Sequence, residues 1–304
     1  MLQDFLKMKD VSKETLQALL DSAFEMKRRI LSADKFSDEL KGKMVATLFY
    51  ENSTRTRTSF EDACKYLGAT VASLDVATSS VQKGESLIDT AKTIEAMGTD
   101  AIVIRHSVSG APQLVADNVD IPVVNAGDGL HAHPTQALLD LFTIVERFGK
   151  VEGLTVAIIG DIKHSRVARS NMESLTTMGA KVKVFAPPTM LPLGIERMKC
   201  TVCKTIEEAF EGSDAVMGLR IQLERQQVGL FPSYGEYTAF FGITDARMKL
   251  ANKGAVVLHP GPVNRGVELA YDVLDKDYCL KDVQVTNGVA TRMALLKMLL
   301  GGKQ

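Results

Sequence analysis

No apolar run of membrane-spanning length occurs in the 304 residues, and the opening Met1-Leu2-Gln3-Asp4-Phe5-Leu6-Lys7-Met8-Lys9-Asp10 is broken by charges. Neither a spanning helix nor a signal segment is therefore expected. Cysteine is scarce: four in a chain this long make no disulfide framework and suit a reducing compartment. Cys200 and Cys203 form a C-x-x-C pair, but neither Cys64 nor Cys279 has a Cys or His two to four residues away to complete a structural zinc site. The thiols read as incidental, with no metal. An excess of positive charge is also missing. Lys plus Arg total 36 against 37 Asp plus Glu, a net charge of -1, which excludes a nucleic-acid partner held by diffuse charge and makes any anion site local. The dinucleotide fingerprint G-x-G-x-x-G is absent after Gly160, where Ile162 and Ser165 take the later glycine positions, so no nicotinamide cofactor is expected. No Ser-His-Asp or Cys-His string stands in a usual nucleophile context, and there is no low-complexity tract, short repeat or long charge block. These absences describe a soluble, cytoplasmic protein with no membrane partner and no cofactor.

What the chain does have is length and rhythm. At 304 residues it exceeds the size at which one core keeps growing, and 45% hydrophobic content is ample for two domains. Strand-like runs at 44–50, 71–75, 101–105 and 122–126 alternate with helical patterns, and after a helix over 135–148 the rhythm restarts at 155–159, 181–185, 214–219 and 255–259. The expectation is an α/β chain of two doubly wound parallel-sheet domains linked by helices. The last apolar stretch, 289–300, reads as a helix packing back on the first half. Domains are placed at 1–134 plus 289–304 and at 135–288.

Ligands of open α/β sheets gather at the carboxyl ends of strands, and here those positions are polar. Ser53-Thr54-Arg55-Thr56-Arg57-Thr58 lies between the first strand and a helical pattern taken to begin near Phe60. Hydroxyl, guanidinium and helix-start amide donors converge there, as a phosphate requires; a basic, well-capped helix start is the alternative. Lys83, in a loop of small hydroxyl residues, could add a point charge, although a solvated lysine is the commoner case for such a residue alone. Arg105 ends an apolar strand, where an ion pair competes with ligand binding. His133-Pro134-Thr135-Gln136 opens a helix; a neutral imidazole can donate to a carbonyl oxygen and an amide can meet a planar carbamoyl group, or the histidine is satisfied locally. Arg166, near a helix start after Gly160-Asp161, suits a carboxylate. Arg220 and Gln222 alternate beyond a strand and suit a second one, each arginine having a salt bridge as its alternative.

In their order, the strings Phe49-Tyr50-Glu51-Asn52-Ser53-Thr54-Arg55-Thr56-Arg57, Lys83-Gly84-Glu85, His133-Pro134-Thr135-Gln136 and His259-Pro260-Gly261-Pro262 resemble the aspartate/ornithine carbamoyltransferase family over nearly the whole chain. Residues 160–171 with Arg220-Ile221-Gln222 favour its aspartate branch, and the His-Cys-Leu-Pro string of the ornithine branch is replaced by Gly261 and its proline neighbours. The resemblance implies transfer of a carbamoyl group from carbamoyl phosphate to L-aspartate, in pyrimidine biosynthesis, by an N-terminal carbamoyl-phosphate domain and a C-terminal aspartate domain. It implies a homotrimer with shared active sites, and a regulatory chain or a dihydroorotase as candidate partners. It assigns Ser53, Thr54, Arg55, Thr56 and Arg105 to the phosphate, with Ser79 and Lys83 reaching in from a neighbouring subunit and Lys83 also near aspartate. His133 and Gln136 go to the carbamoyl group, and Arg166, Arg220 and Gln222 to aspartate. Gly261 and Pro262 supply backbone carbonyls, and Glu51 positions Arg166 on domain closure. Residues 261–266 depart from relatives with a bulkier residue and different charges there.

The implied chemistry is acyl transfer without metal or covalent intermediate. Carbamoyl phosphate and aspartate bring about two negative charges each, against the cations Arg55, Lys83, Arg105, Arg166 and Arg220. Gly229-Leu230-Phe231-Pro232-Ser233-Tyr234-Gly235 has the punctuation of a mobile lid. The competing expectations are a carbamoyltransferase for ornithine or another amine, and a non-catalytic chain that binds phosphorylated metabolites.

Overall fold

A computed structural model describes residues 2–74, 85–221 and 233–302. The chain divides into two compact units, Met1–Phe142 with Val285–Gln304, and Thr143–Gln284.

The first unit holds strands β1 (Met44–Phe49), β2 (Thr70–Leu74), β3 (Ala101–His106) and β4 (Val123–Asp128), all parallel in the order β2-β1-β3-β4. Its helices are α1 (Lys13–Ile30), α2 (Thr54–Tyr66), α3 (Leu87–Ala96) and α4 (Ala111–Ala116). Strands covered on both faces read as continuous apolar runs, which is why β3 begins Ala-Ile-Val-Ile and is buried over those four residues. Ala46, Leu48, Ile102 and Ile104 pack on Ala91, Ile94 and Val115, while Val45 and Val103, one residue out of step, are buried on the opposite face. Helix α2 buries Thr56, Ser59, Phe60, Ala63 and Cys64, the spacing of a single helical stripe. It therefore begins at Thr54 and not near Phe60, so the hydroxyl and arginine run forms its first turns. The expected start was late because that run has no apolar residue before Phe60.

The second unit holds β5 (Thr155–Ile159), β6 (Lys181–Phe185), β7 (Thr201–Val202), β8 (Ala215–Gly218) and β9 (Val256–Leu258), parallel in the order β7-β6-β5-β8-β9. The helix α5 (Pro134–Phe148) leads the chain into it, followed by α6 (Arg166–Thr177), α7 (Ile206–Phe210), α8 (Tyr234–Phe241), α9 (Asp245–Met248) and α10 (Tyr271–Leu274). Ala157, Ile159, Val216 and Val257 form its core with Phe210, Ile243 and Leu269. The two-residue β7 was too short and too exposed to be read from periodicity.

The last helix, α11 (Lys281–Leu300), begins well before the apolar stretch that announced it, because Asp282, Gln284, Asn287 and Gly288 carry no hydrophobic signal. Its C-terminal part belongs to the first unit, where Lys297 donates to Glu39 at 2.9 Å and stands 3.9 Å from Glu25 of α1. No helix among the described residues is long and apolar enough to cross a membrane.

Helix α2 ends in a Schellman turn: the Gly68 amide donates to Lys65 at 3.1 Å and the Ala69 amide to Cys64 at 2.9 Å. Gly68 has φ +80°, and a Cβ there would lie 2.6 Å from the Ser37 carbonyl oxygen. Gly68→Ala is expected to lower unfolding free energy by at least about 2 kcal/mol, since the left-handed penalty and a backbone clash combine. Urea melts of the two proteins check this.

Candidate active site

Both sheets have one place where the chain turns from building outward on one side to building on the other: between β1 and β3 in the first unit, and between β5 and β8 in the second. Such switch points open a crevice at the carboxyl ends of the strands. Of the residues singled out by sequence, Ser53 to Thr56 and Arg105 lie at the carboxyl ends of β1 and β3, and Arg166 and Arg220 beyond those of β5 and β8.

In the first unit, β1 leads through Tyr50 to Ser53 into α2. Ser53 is the extended N-cap residue, yet its hydroxyl makes no cap hydrogen bond and the first turn has no carboxylate. By contrast, α1 and α3 are each capped by a serine and carry Glu14 or Asp89 in the first turn. The positive end of the α2 dipole thus keeps its capacity for an anion. The alternating run separates by face. Thr56 is buried and Arg55 exposed, while Arg57 turns to Glu61, at 3.1 Å, and to the Ser73 hydroxyl at the end of β2.

Arg105 lies within β3, its side chain 11% exposed; it donates to Glu51 at 3.0 Å and to the Ala126 carbonyl at 3.4 Å. The ion-pair alternative for Arg105 is therefore present, its partner Glu51 standing on the segment between β1 and α2. A further guanidinium, Arg292 of α11, is 3% exposed and packs 5.0 Å from the Phe60 ring centroid. Burial pushes its pKa down to about 9, Asp140 opposes that shift, and Arg55 and Arg105 reinforce it. Arg55 and Arg105 each act on Arg292 as like charges. Arg292 stays protonated at neutral pH.

His133, Thr135 and Gln136 at the start of α5 are all buried. The turn that delivers them is organised by Asp128, 1% exposed, which accepts from the amides of Gly110 (2.7 Å) and Ala132 (3.0 Å) and from Asn125 Nδ2 (2.8 Å). The Thr135 hydroxyl is 3.5 Å from His133 Nδ1, and Gln136 Nε2 donates to Asp140 Oδ1 at 2.9 Å.

In the second unit, Gly160 turns at φ +123°, and a Cβ there would stand 2.9 Å from the Tyr237 hydroxyl. Asp161, buried, accepts from the His164 amide at 3.1 Å and lies 3.0 Å from His164 Nδ1, shaping the loop that ends with Ser165 capping α6 through the Ala168 amide. Arg166, the first residue of α6, is 4% exposed, and Arg220 follows β8, the neighbour of β5. The loop bearing Gly261 and Pro262 folds onto the same end: Asn264 Nδ2 donates to the Ile221 carbonyl at 3.4 Å. Within that loop the Gly261 amide donates to His259 Nδ1 at 2.8 Å, and His259 Nε2 is 3.3 Å from buried Glu268, which also accepts from the Asn264 amide at 2.7 Å. Tyr237 is buried among these groups; desolvation first, then Glu268 and Asp161, hold its hydroxyl protonated.

Ser79, Lys83 and Gln222 lie outside the described residues, as do 229–232 of the expected lid; Ser233 to Gly235 form the capped start of α8. Sequence reasoning missed Asp140, Arg292, Glu268 and Tyr237. Only Asp140 had a local signal, its i+4 spacing from Gln136 in a helix. Among the described residues no group of three or more His, Cys, Asp or Glu is arranged to hold a metal.

Residues 3–146 match the family model for the aspartate/ornithine carbamoyltransferase carbamoyl-P binding domain, and residues 152–299 match the model for the Asp/Orn binding domain. The chain belongs to the aspartate/ornithine carbamoyltransferase family. It is 57% identical over 297 residues to the aspartate carbamoyltransferase catalytic subunit of Ruminiclostridium cellulolyticum, covering 98% of this chain and 95% of that one. Among solved structures it is similar to aspartate transcarbamoylase of Trypanosoma cruzi in complex with N-(phosphonacetyl)-L-aspartic acid, with TM-score 0.90 and 32% identity over 98% of this chain and 96% of that one. The ornithine carbamoyltransferase of Thermus thermophilus is similar too, with TM-score 0.87 and 30% identity over 99% of each chain. Since both branches of the family share the fold, the choice of amine rests on particular side chains.

The two faces of α2 separate Arg55 from Arg57 experimentally. If the start of α2 holds an anion, Arg55→Ala is expected to weaken inorganic phosphate binding by roughly tenfold or more and Arg57→Ala by less than about twofold, since Arg57 is engaged by Glu61 and Ser73. Isothermal titration with phosphate reads both.

Proposed function

We propose that the protein transfers the carbamoyl group of carbamoyl phosphate to the amino group of L-aspartate, giving N-carbamoyl-L-aspartate and phosphate. It is an aspartate carbamoyltransferase. The observation that carries the choice of amine is the placement of Arg166 and Arg220 beyond the carboxyl ends of adjacent strands β5 and β8, which suits two carboxylates, in a chain 57% identical to a catalytic subunit of that name.

In this reading the first unit is the carbamoyl-phosphate domain and the second the aspartate domain. Ser53, Thr54, Arg55, Thr56 and Arg105 bind the phosphate, with the α2 amides as further donors. His133 donates to the carbonyl oxygen as a neutral imidazole, and Gln136 meets the carbamoyl amide. Arg166, Arg220 and Gln222 bind aspartate, and Gly261 and Pro262 offer backbone carbonyls to the attacking nitrogen. The neutral amine attacks the carbonyl carbon; a C–N bond forms, the C–O bond to phosphate breaks, and the leaving phosphate accepts the amine proton. Positioning and stabilisation of the developing oxyanion supply the acceleration, each well-aimed donor contributing about 3 kcal/mol.

The proposal extends to a homotrimer in which Ser79 and Lys83 act from a neighbouring subunit, to a role for Glu51 in closure, and to a place in pyrimidine biosynthesis. Four free cysteines suit a cytoplasmic location.

Incubation of the purified chain with labelled carbamoyl phosphate and a panel of amino acids tests the reaction. Carbamoyl-aspartate is expected; citrulline in its place contradicts the assignment. Arg220→Ala should lower kcat/KM for aspartate by roughly 100-fold while leaving phosphate affinity intact. Light scattering on the active protein should give a trimer, and a fully active monomer would overturn the shared site.

A further inference from the structure

His259 directly follows β9 and leads the chain into Gly261 and Pro262. It is 2% exposed and held from several sides. Its amide donates to Gln284 Oε1 of α11 at 2.9 Å, its Nδ1 accepts from the Gly261 amide at 2.8 Å, and its Nε2 lies 3.3 Å from Glu268 Oε1. The ring edge at Cδ2 faces the end of β8, where a Cβ at Gly218 would stand 3.4 Å away. An amide N–H only donates, so Nδ1 is the nitrogen without a proton, and the ring of this tautomer turns its Nε2–H edge to Glu268.

Glu268, also 2% exposed, carries the connection further. Its Oε1 accepts from the Asn264 amide at 2.7 Å, and Asn264 Nδ2 donates to the carbonyl of Ile221, the residue after Arg220, at 3.4 Å. One imidazole and one carboxyl group thus join the Gly261 peptide to the segment that carries Arg220, wholly within the second unit. Gly261 needs such a restraint. It sits at φ +61° with no side chain of its own to pack, so the direction of its carbonyl depends on what holds its amide.

We infer that His259 and Glu268 are positioning residues for the attacking amine: they hold the Gly261 peptide at a fixed place relative to Arg220, so that an α-amino dicarboxylate is bound with its nitrogen aligned for attack. The inference rests on the proposed transfer to aspartate and adds to it the groups that fix where the nitrogen is held.

The test separates the nitrogen of the acceptor from its carboxylates. Aspartate carries both and succinate only the carboxylates, so kcat/KM for aspartate is compared with the inhibition constant of succinate at saturating carbamoyl phosphate. Inorganic phosphate affinity serves as the reference for the first unit. His259→Leu leaves the Gly261 amide without its acceptor, whereas His259→Asn places an oxygen near the position of Nδ1. The former should lower kcat/KM for aspartate by about 100-fold and the latter by about tenfold or less, because a small displacement of a reacting atom is costly. Succinate inhibition and phosphate affinity should stay within about twofold in both, since the groups that hold carboxylates and phosphate are retained. Unchanged kcat/KM in His259→Leu overturns the inference, as does equal weakening of aspartate and succinate, which marks a purely structural role. Should His259→Leu not fold, Glu268→Gln decides: it keeps an acceptor for the Asn264 amide, and a fall of about tenfold in kcat/KM at unchanged succinate inhibition is expected. No fall there contradicts the positioning role. The product assay on the wild type separates the two levels. Carbamoyl-aspartate formed equally well by wild type and variants refutes the positioning role alone, whereas none formed by the wild type refutes the reaction itself.

Discussion

An uncapped helix start with no acid in its first turn is the constraint on which the first unit depends. The backbone there is electropositive, and Arg55, in its first turn, and Arg105 both act as like charges on the buried Arg292. Carboxylates offset part of this: Glu51 pairs with Arg105, and Asp140 acts on Arg292. Yet the first turn of α2 carries no acid, and Ser53 does not cap it. An anion entering there meets the α2 amides, already ordered on folding, and Arg105, already largely desolvated, which is the condition under which electrostatic stabilisation acts most strongly on a leaving phosphate.

The second unit solves a related problem with buried acids. Asp161 and Glu268 each spend their acceptor capacity on a loop: Asp161 on the turn that presents Arg166, Glu268 on the segment carrying Gly261 and Pro262. His259 links that segment to itself, accepting from the Gly261 amide through Nδ1, so that its Nε2 is the edge toward Glu268. Neither acid needs to touch substrate. Their burial makes the loops costly to rearrange, which is what a site that must orient an amine against a carbonyl requires.

The parallel-sheet rhythm was legible because strands such as β3 and β5 are buried on both faces and so read as unbroken apolar runs. The candidate residues were legible because they cluster just after those runs. What escaped was information that needs the third dimension. The start of α2 was hidden by a polar first turn, and the start of α11 by Asp282, Gln284, Asn287 and Gly288. Alternation along Ser53 to Thr58 suggested one cradle, whereas helical geometry sends Arg57 to Glu61 and Ser73. Arg292 stands far along the chain from Asp140, with no local pattern to join them. Only the return of α11 to the first unit places the two in one compact unit.

If the uncapped start of α2 with Arg55 is the anion site, occupying it must stabilise the fold. The thermal midpoint of the chain, followed against inorganic phosphate at constant ionic strength, measures this through the linkage between binding and unfolding. The account predicts a midpoint that climbs logarithmically once phosphate exceeds its dissociation constant, with the climb lost in Arg55→Ala. A flat midpoint, or an equal rise in chloride alone, would contradict it.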